Sequence, residues 1–169
     1  MAGPDHLGDL ELSTADAVSA FNRTCARRVV GDLHVHESLR ESVTLSHLEE
    51  VDGHLHVDAP TFVDDTHTRR NYPREFPRLR AIRGHLTVVM SESGGGNASL
   101  LDVGFDRLER VEGDVELRTV ATAGVARLSG FEWLSFIGGE LRLSPPGLEL
   151  PAQLVRAEDR GLAIRDAGR

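Results

Sequence analysis

Apolar and polar positions alternate in five short segments, and the five segments repeat one another. They read Val29-Val-Gly-Asp-Leu-His-Val35, Val51-Asp-Gly-His-Leu-His-Val57, Ile82-Arg-Gly-His-Leu-Thr-Val88, Val111-Glu-Gly-Asp-Val-Glu-Leu117 and Ile137-Gly-Gly-Glu-Leu-Arg-Leu143. Their glycines, Gly31, Gly53, Gly84, Gly113 and Gly139, are 22, 31, 29 and 26 residues apart. Leu48, Leu79, Leu108 and Leu134 each stand three residues before the leading Val or Ile. Three residues earlier again stand Leu45, Phe76, Phe105 and Phe131. The shared pattern is F-x-x-L-x-x-V-x-G-x-L-x-V. Its second half has period 2, the mark of a strand with one buried face. Its first half has period 3, which fits a chain turning a corner and plugging a core with one apolar side chain per step.

No unit of this length buries its own apolar face, so the units must stack. The prediction is a mainly β, parallel solenoid of five to six rungs. The inward set is Val51, Leu55, Val57, Ile82, Leu86, Val88, Val111, Val115, Leu117, Ile137, Leu141 and Leu143. The glycine falls on the inward phase, where a missing side chain lets a neighbouring rung or loop come close. An antiparallel sandwich is the alternative, disfavoured because hairpins do not repeat one motif at such long steps.

The flanks read as caps. Ser13-Thr-Ala-Asp16 resembles an N-capping box with Asp in place of Glu. It opens a short amphipathic helix to about Asn22, whose Ala17, Val18 and Phe21 close one end of the core. The predicted organisation is an N-terminal tail and capping helix over 1–24, the solenoid over 25–145, and a degenerate last rung with C-terminal cap over 146–169. In that last part Pro145-Pro146-Gly147 begins a corner, and Leu154, Ala157, Leu162 and Ile164 supply apolar positions. Residues 1–8 and 166–169 are expected to fray. The longest loop spans about 58–75, and a second carries Gly94–Gly96.

The pattern L-x-x-L-x-x-I-x-G-x-L-x-I over residues 25–145 resembles the receptor L domain. This is the leucine-rich-repeat-like solenoid of insulin- and EGF-receptor ectodomains. Cys25-Ala-Arg-Arg-Val-Val-Gly-Asp-Leu-His-Val resembles that family's first strand, which opens with Cys, although the family's partner Cys is missing here. The resemblance implies a right-handed coil and a binding or scaffold role rather than catalysis. It carries no set of functional residues with it.

Composition narrows the chemistry. All 19 basic residues are Arg, against 27 acids, for a net charge of −8. Without Lys there is no P-loop lysine, Schiff-base lysine or kinase lysine. The negative charge argues against nucleic acid as a partner. No apolar run approaches the roughly 20 residues of a membrane span. No signal-peptide pattern opens the chain, which predicts a cytoplasmic protein, or a secreted one if a leader has been removed. Arg without Lys, beside abundant Ala, Gly and Val, suggests a GC-rich bacterial genome. The single Cys25 excludes an internal disulfide and is expected to pack in the first rung. Gly94–Gly96 lacks the Lys-Ser/Thr of a phosphate loop and reads as a plain excursion. Asp64, Asp65 and His67 in the long loop read as solvating residues.

Stacking in register sets equivalent outward side chains about 4.8 Å apart. The first outward row is Asp32, His54, His85, Asp114, Glu140. The second is His34, His56, Thr87, Glu116, Arg142. The third is His36, Asp58, Val89, Arg118, Ser144. Five of the eight histidines therefore share one face. The leading expectation is a non-catalytic recognition or scaffold module that binds a protein or glycan through this face or the inter-rung loops. Its candidate binding residues are Asp32, His34, His36, His54, His56, His85, Glu116 and Arg118. No cofactor is expected, but neutral imidazoles suit Zn²⁺ or a similar divalent ion. His54, His56 and His85 are the candidate ligands, with His54 and His85, or His34 and His56, as the neighbouring pair. Imidazole also changes charge between pH 5 and 8, so the face is alternatively a pH-responsive one. A third alternative is a sheet-face hydrolase with paired carboxylates, using Asp114, Glu116 and Glu140. Carboxylates set side by side raise one another's pKa, as an acid catalyst needs.

Overall fold

The computed structural model describes residues 3–63, 69–71, 73–93, 100–119, 127–129, 131–144 and 164–166. Within them the chain is mainly β, and its strands form three parallel sheets visited in turn. The first sheet contains β1 (Asp5–Leu7), β3 (Arg28–Val30), β6 (Glu50–Val51), β10 (Ala81–Ile82), β13 (Arg110–Val111) and β16 (Phe136–Ile137). The second contains β2 (Leu10–Leu12), β4 (Leu33–Val35), β7 (Leu55–Val63), β11 (Leu86–Ser93), β14 (Val115–Thr119), β17 (Leu141–Ser144) and β18 (Ile164–Asp166), in that spatial order. The third contains β5 (Val43–Thr44), β9 (Arg74–Glu75), β12 (Leu100–Gly104) and β15 (Arg127–Ser129). The antiparallel sandwich is therefore excluded.

The two halves of the sequence motif make different structures for a local reason. In F-x-x-L, the Leu N–H closes back on the Phe carbonyl: Leu79 on Phe76 at 3.2 Å, Leu108 on Phe105 at 3.3 Å, Leu134 on Phe131 at 3.2 Å. That three-residue turn is the period-3 corner. Its phenyl rings follow one another through the core, Phe76 stacked on Phe105 with centroids 5.0 Å apart and Phe105 tilted against Phe131 at 5.2 Å. The V-x-G-x-L-x-V half then crosses from the first sheet to the second. Of the predicted inward set, all are buried except Ile137 and Leu143, which pack partly buried against the core.

The glycine column sits where the chain passes between these two sheets. Each glycine N–H donates to the glycine carbonyl one unit before, at 3.0 Å from Gly53 to Gly31, Gly84 to Gly53, Gly113 to Gly84 and Gly139 to Gly113. A Cβ on Gly84 would lie 2.5 Å from the Gly53 carbonyl oxygen, inside any tolerable contact. The close approach foreseen for this phase is thus one glycine backbone on the next.

The ends differ from expectation. Residues 5–12 do not fray. His6-Leu-Gly-Asp-Leu-Glu-Leu12 is a further copy of the motif, with β1 paired on β3 and β2 on β4. The helix α1 (Ala15–Thr24) follows this unit rather than preceding all of them. It is capped by Thr14, whose hydroxyl accepts from the Ala17 N–H at 3.2 Å, and it buries Phe21 with Ala17 and Val18 alongside. It lies beside β5, the edge of the third sheet, and Asn22 donates to the Thr44 carbonyl at 2.9 Å. Cys25 is not a packed core thiol. It is exposed at the helix C-terminus, in a left-handed conformation (φ 53°). At the far end, β18 pairs with β17 through Leu141 and Ile164, the register of a further copy. Residues 145–163, with Pro145, Pro146, Leu154, Ala157 and Leu162, lie outside the described residues.

The long segment 58–75 is partly structured. Strand β7 runs on to Val63, and β8 (Arg69–Asn71) returns antiparallel along it, Phe62 opposite Arg70. Asp64, Asp65, His67 and Gly94–Gly96 lie outside the described residues. Among those described, no helix is long and apolar enough to cross a membrane.

Candidate functional site

The second sheet sets the register predicted for its outward rows. His34 pairs with His56, His56 with Thr87, Thr87 with Glu116 and Glu116 with Arg142. Asp58 pairs with Val89, Val89 with Arg118, and Arg118 with Ser144. Beneath these side chains Leu33, Val35, Leu55, Val57, Leu86 and Val88 are fully or almost fully buried, so the outward positions are anchored from below.

The first row is a structural ladder. Each side chain accepts the backbone N–H of its successor in the next unit. Asp9 accepts from Asp32 at 2.9 Å, Asp32 from His54 at 2.7 Å, His54 Nδ1 from His85 at 2.9 Å. The chain continues with His85 Nδ1 accepting from Asp114 at 2.8 Å and Asp114 from Glu140 at 2.9 Å. The first N–H after the glycine leaves the sheet ladder, and the side chain supplies the acceptor it lacks. An Nδ1 that accepts carries no proton, so His54 and His85 are set as Nε2–H tautomers, their rings stacked at 4.7 Å. Asp32, His54 and His85 are therefore backbone-bracing residues before they are anything else, and the expected metal group of His54, His56 and His85 is not the one the structure assembles.

The other expected pair, His34 and His56, comes together around Asp58 instead. His34 Nε2 and His56 Nε2 lie 3.1 Å from Asp58 Oδ2 and Oδ1 respectively. One donor atom from each of the three falls within 4.8 Å of the others. The His34 and His56 rings meet edge-on at 4.5 Å, and His36 packs against His34 at 4.2 Å. His36 Nε2 in turn lies 3.0 Å from Glu11 Oε1, so Glu11, His34 and His36 form a second such group. Asp58 side-chain exposure is 16%, against 67% for Glu11, which makes the Asp58 group the more enclosed of the two. Asp58 was legible as a row position and as a carboxylate that offsets the histidine charge, but not as one placed between His34 and His56. Glu11 lies in the segment 1–24 expected to be a tail and capping helix, although its Gly-Asp-Leu-Glu-Leu stretch matches Gly-Asp-Leu-His-Val.

Behind Asp58 stands a buried charge. Arg74 is fully buried, with its guanidinium donating to the carbonyls of Leu39 (2.7 Å), Glu41 (2.6 Å) and Asp58 (3.2 Å). Burial lowers its pKa to about 10, with Asp58 and Glu41 opposing the shift, so it stays charged at neutral pH. It occupies a position where the aligned residues, Val43 and Val103, are core valines. Alignment of Arg74-Glu-Phe-Pro-Arg-Leu79 with Val103-Gly-Phe-Asp-Arg-Leu108 was the signal that could have found it.

The far half of the face is carboxylate and guanidinium. Arg118 Nε donates to Glu116 at 2.8 Å. Arg142 reaches both Glu140 (3.1 Å) and Asp114 (3.2 Å). The Glu140 backbone N–H first, and the Arg142 charge after it, hold the Asp114 carboxyl below its ordinary range, with burial opposing. For Asp114 this is the reverse of the rise expected of neighbouring carboxylates, because Arg142 stands between it and Glu140. Away from this face, a cleft of about 300 Å³ separates α1 from β5, and one of about 400 Å³ is lined by Glu49, Pro77, Arg78, Arg80 and Arg107.

No family model, curated protein or solved structure matches this chain.

Proposed function

We propose that the chain is a non-catalytic recognition or scaffold module, a right-handed solenoid of the receptor L domain type, that presents the outer face of its second sheet, seven parallel strands among the described residues rather than five to six rungs, to a protein or glycan partner. The observation that carries this reading is the register-locked display of polar side chains. Imidazoles and carboxylates at Glu11, His34, His36, His56 and Asp58 pass, along the same rows, into Glu116, Arg118 and Arg142. The ladder beside them braces the backbone, so these groups are held in place before a partner arrives, which lowers the ordering cost of binding. The arginine-neutralised acids Asp114, Glu116 and Glu140 suit hydrogen bonding to a polar partner better than general acid catalysis.

The test is binding of the purified chain to glycan and protein arrays, with the double change Glu116→Ala and Arg118→Ala. Binding that weakens with this change, but not with Glu112→Ala just past the first-sheet strand β13, supports the reading. Binding that is indifferent to the second-sheet changes overturns it, as does turnover of a glycan that Glu116→Gln or Glu140→Gln abolishes.

A further inference from the structure

We infer that His34, His56 and Asp58 form a binding site for one divalent first-row transition ion, with Zn²⁺ or Co²⁺ as the type. The inference goes beyond the recognition reading and stands apart from it. His34 and His56 are register partners on neighbouring parallel strands, and Asp58 lies two residues past His56 on the same face of its strand. Three donors thus converge from two strands anchored by the buried Leu33, Val35, Leu55 and Val57, which fixes them as loops would not.

The two imidazole–carboxylate spacings are those of a coordination shell, and all three donors lie within 4.8 Å of one another. Ligands about 2.0–2.1 Å from one ion stand about 2.8–3.0 Å from each other in octahedral geometry and about 3.3–3.4 Å in tetrahedral geometry. Both imidazole nitrogens already lie 3.1 Å from a carboxylate oxygen of Asp58. The donor set, two imidazoles and a carboxylate, is the one that Zn²⁺, Co²⁺ and related ions take, whereas Mg²⁺ and Ca²⁺ prefer oxygen alone. Without metal, each Nε2 donates its hydrogen to Asp58. With metal, each ring ligates through the Nε2 lone pair and keeps its hydrogen on Nδ1, so the change is a tautomer shift with no net proton lost from a neutral ring.

Support behind the donors is present too. Arg74 holds the Asp58 carbonyl from the core side and fixes the backbone that carries the carboxylate. His36 packs on His34, and Glu11 holds His36. The Glu11, His34 and His36 group shares His34 and competes for the same ion. The Asp58 group is preferred because its carboxylate is the more enclosed and faces both imidazoles at once. Three protein donors leave at least one position open to water or to a donor from a partner.

The experiment uses the metal alone as probe on the intact chain. Zn²⁺ is titrated by calorimetry and Co²⁺ by its visible absorption, with the histidine ring resonances followed by NMR. The expected result is one ion per chain, with the His34 and His56 rings moving and the His54 and His85 rings unmoved. Asp58→Asn and His56→Ala should each weaken binding by about 10-fold or more, and His54→Ala should not. Melting curves of the variants show whether the fold is kept, and Asp58→Asn preserves side-chain size where His56→Ala does not. Absence of saturable binding overturns the site. So does binding that survives Asp58→Asn unchanged, or that is lost on His36→Ala or Glu11→Gln while Asp58→Asn has no effect. Because no macromolecule enters the assay, failure here leaves the recognition reading standing, and failure of partner binding leaves this one.

Discussion

Two outward columns of the second sheet, two residues apart, have opposite duties. In the column directly after the glycine, Asp9, Asp32, His54, His85 and Asp114 turn an acceptor atom onto the next unit's backbone. In the column two residues on, Glu11, His34, His56, Thr87, Glu116 and Arg142 sit on strands whose backbone is already paired. Carboxylates and imidazoles occur in both, so side-chain chemistry does not separate them. What separates them is whether the local N–H lacks a strand partner. A polar residue beside a backbone break is drawn into structure, whereas one beside an intact ladder keeps its chemistry for what lies outside.

The comparison can be broken at several depths. The deepest is the buried guanidinium under Asp58: Arg74→Met should destabilise the fold by about 3–5 kcal/mol, because buried carbonyls lose a charged donor. Chemical denaturation measures this directly. Leu86→Ala, in the core beneath both columns, should cost about 2–5 kcal/mol by the same measurement. Gly84→Ala forces a methyl against the Gly53 carbonyl and should cost about 1–3 kcal/mol or prevent folding, while the same change at Gly8, where a Cβ meets no neighbour, is limited to backbone strain (φ 98°).

The columns themselves should then part company. His85→Ala removes the acceptor of the Asp114 N–H and should cost about 0.5–1.5 kcal/mol. Glu116→Gln, one column over, should stay within about 0.5 kcal/mol. Equal losses at the two would remove the distinction.

The smallest effect is a pH dependence. The Asp114 carboxyl titrates lower in the folded chain than its ordinary value of about 3.9. The stabilisation it brings is therefore complete above that ordinary value and disappears as pH falls through the lower, folded one. The gap in melting temperature between the parent chain and Asp114→Ala should narrow between pH 6 and strongly acidic solution. A gap that widens on acidification would contradict the assignment.

The sequence by itself determined the parallel stacking, the inward set and the register. Period 2 with an invariant glycine phase admits one buried face, and a shift by one residue would expose Leu55 and Leu86 together. It also contained the copy at His6–Leu12 and the substitution of Arg74 for a core valine, both visible once the units are aligned. Tertiary structure alone decided which outward side chains are engaged. Alternation gives Asp32, His54 and His56 the same direction, but only the stacked backbone shows that an N–H at 54 or 85 needs an acceptor and that one at 56 does not. It alone turned Asp58 between two imidazoles from neighbouring units, because contacts across units depend on distances that no single strand's pattern contains.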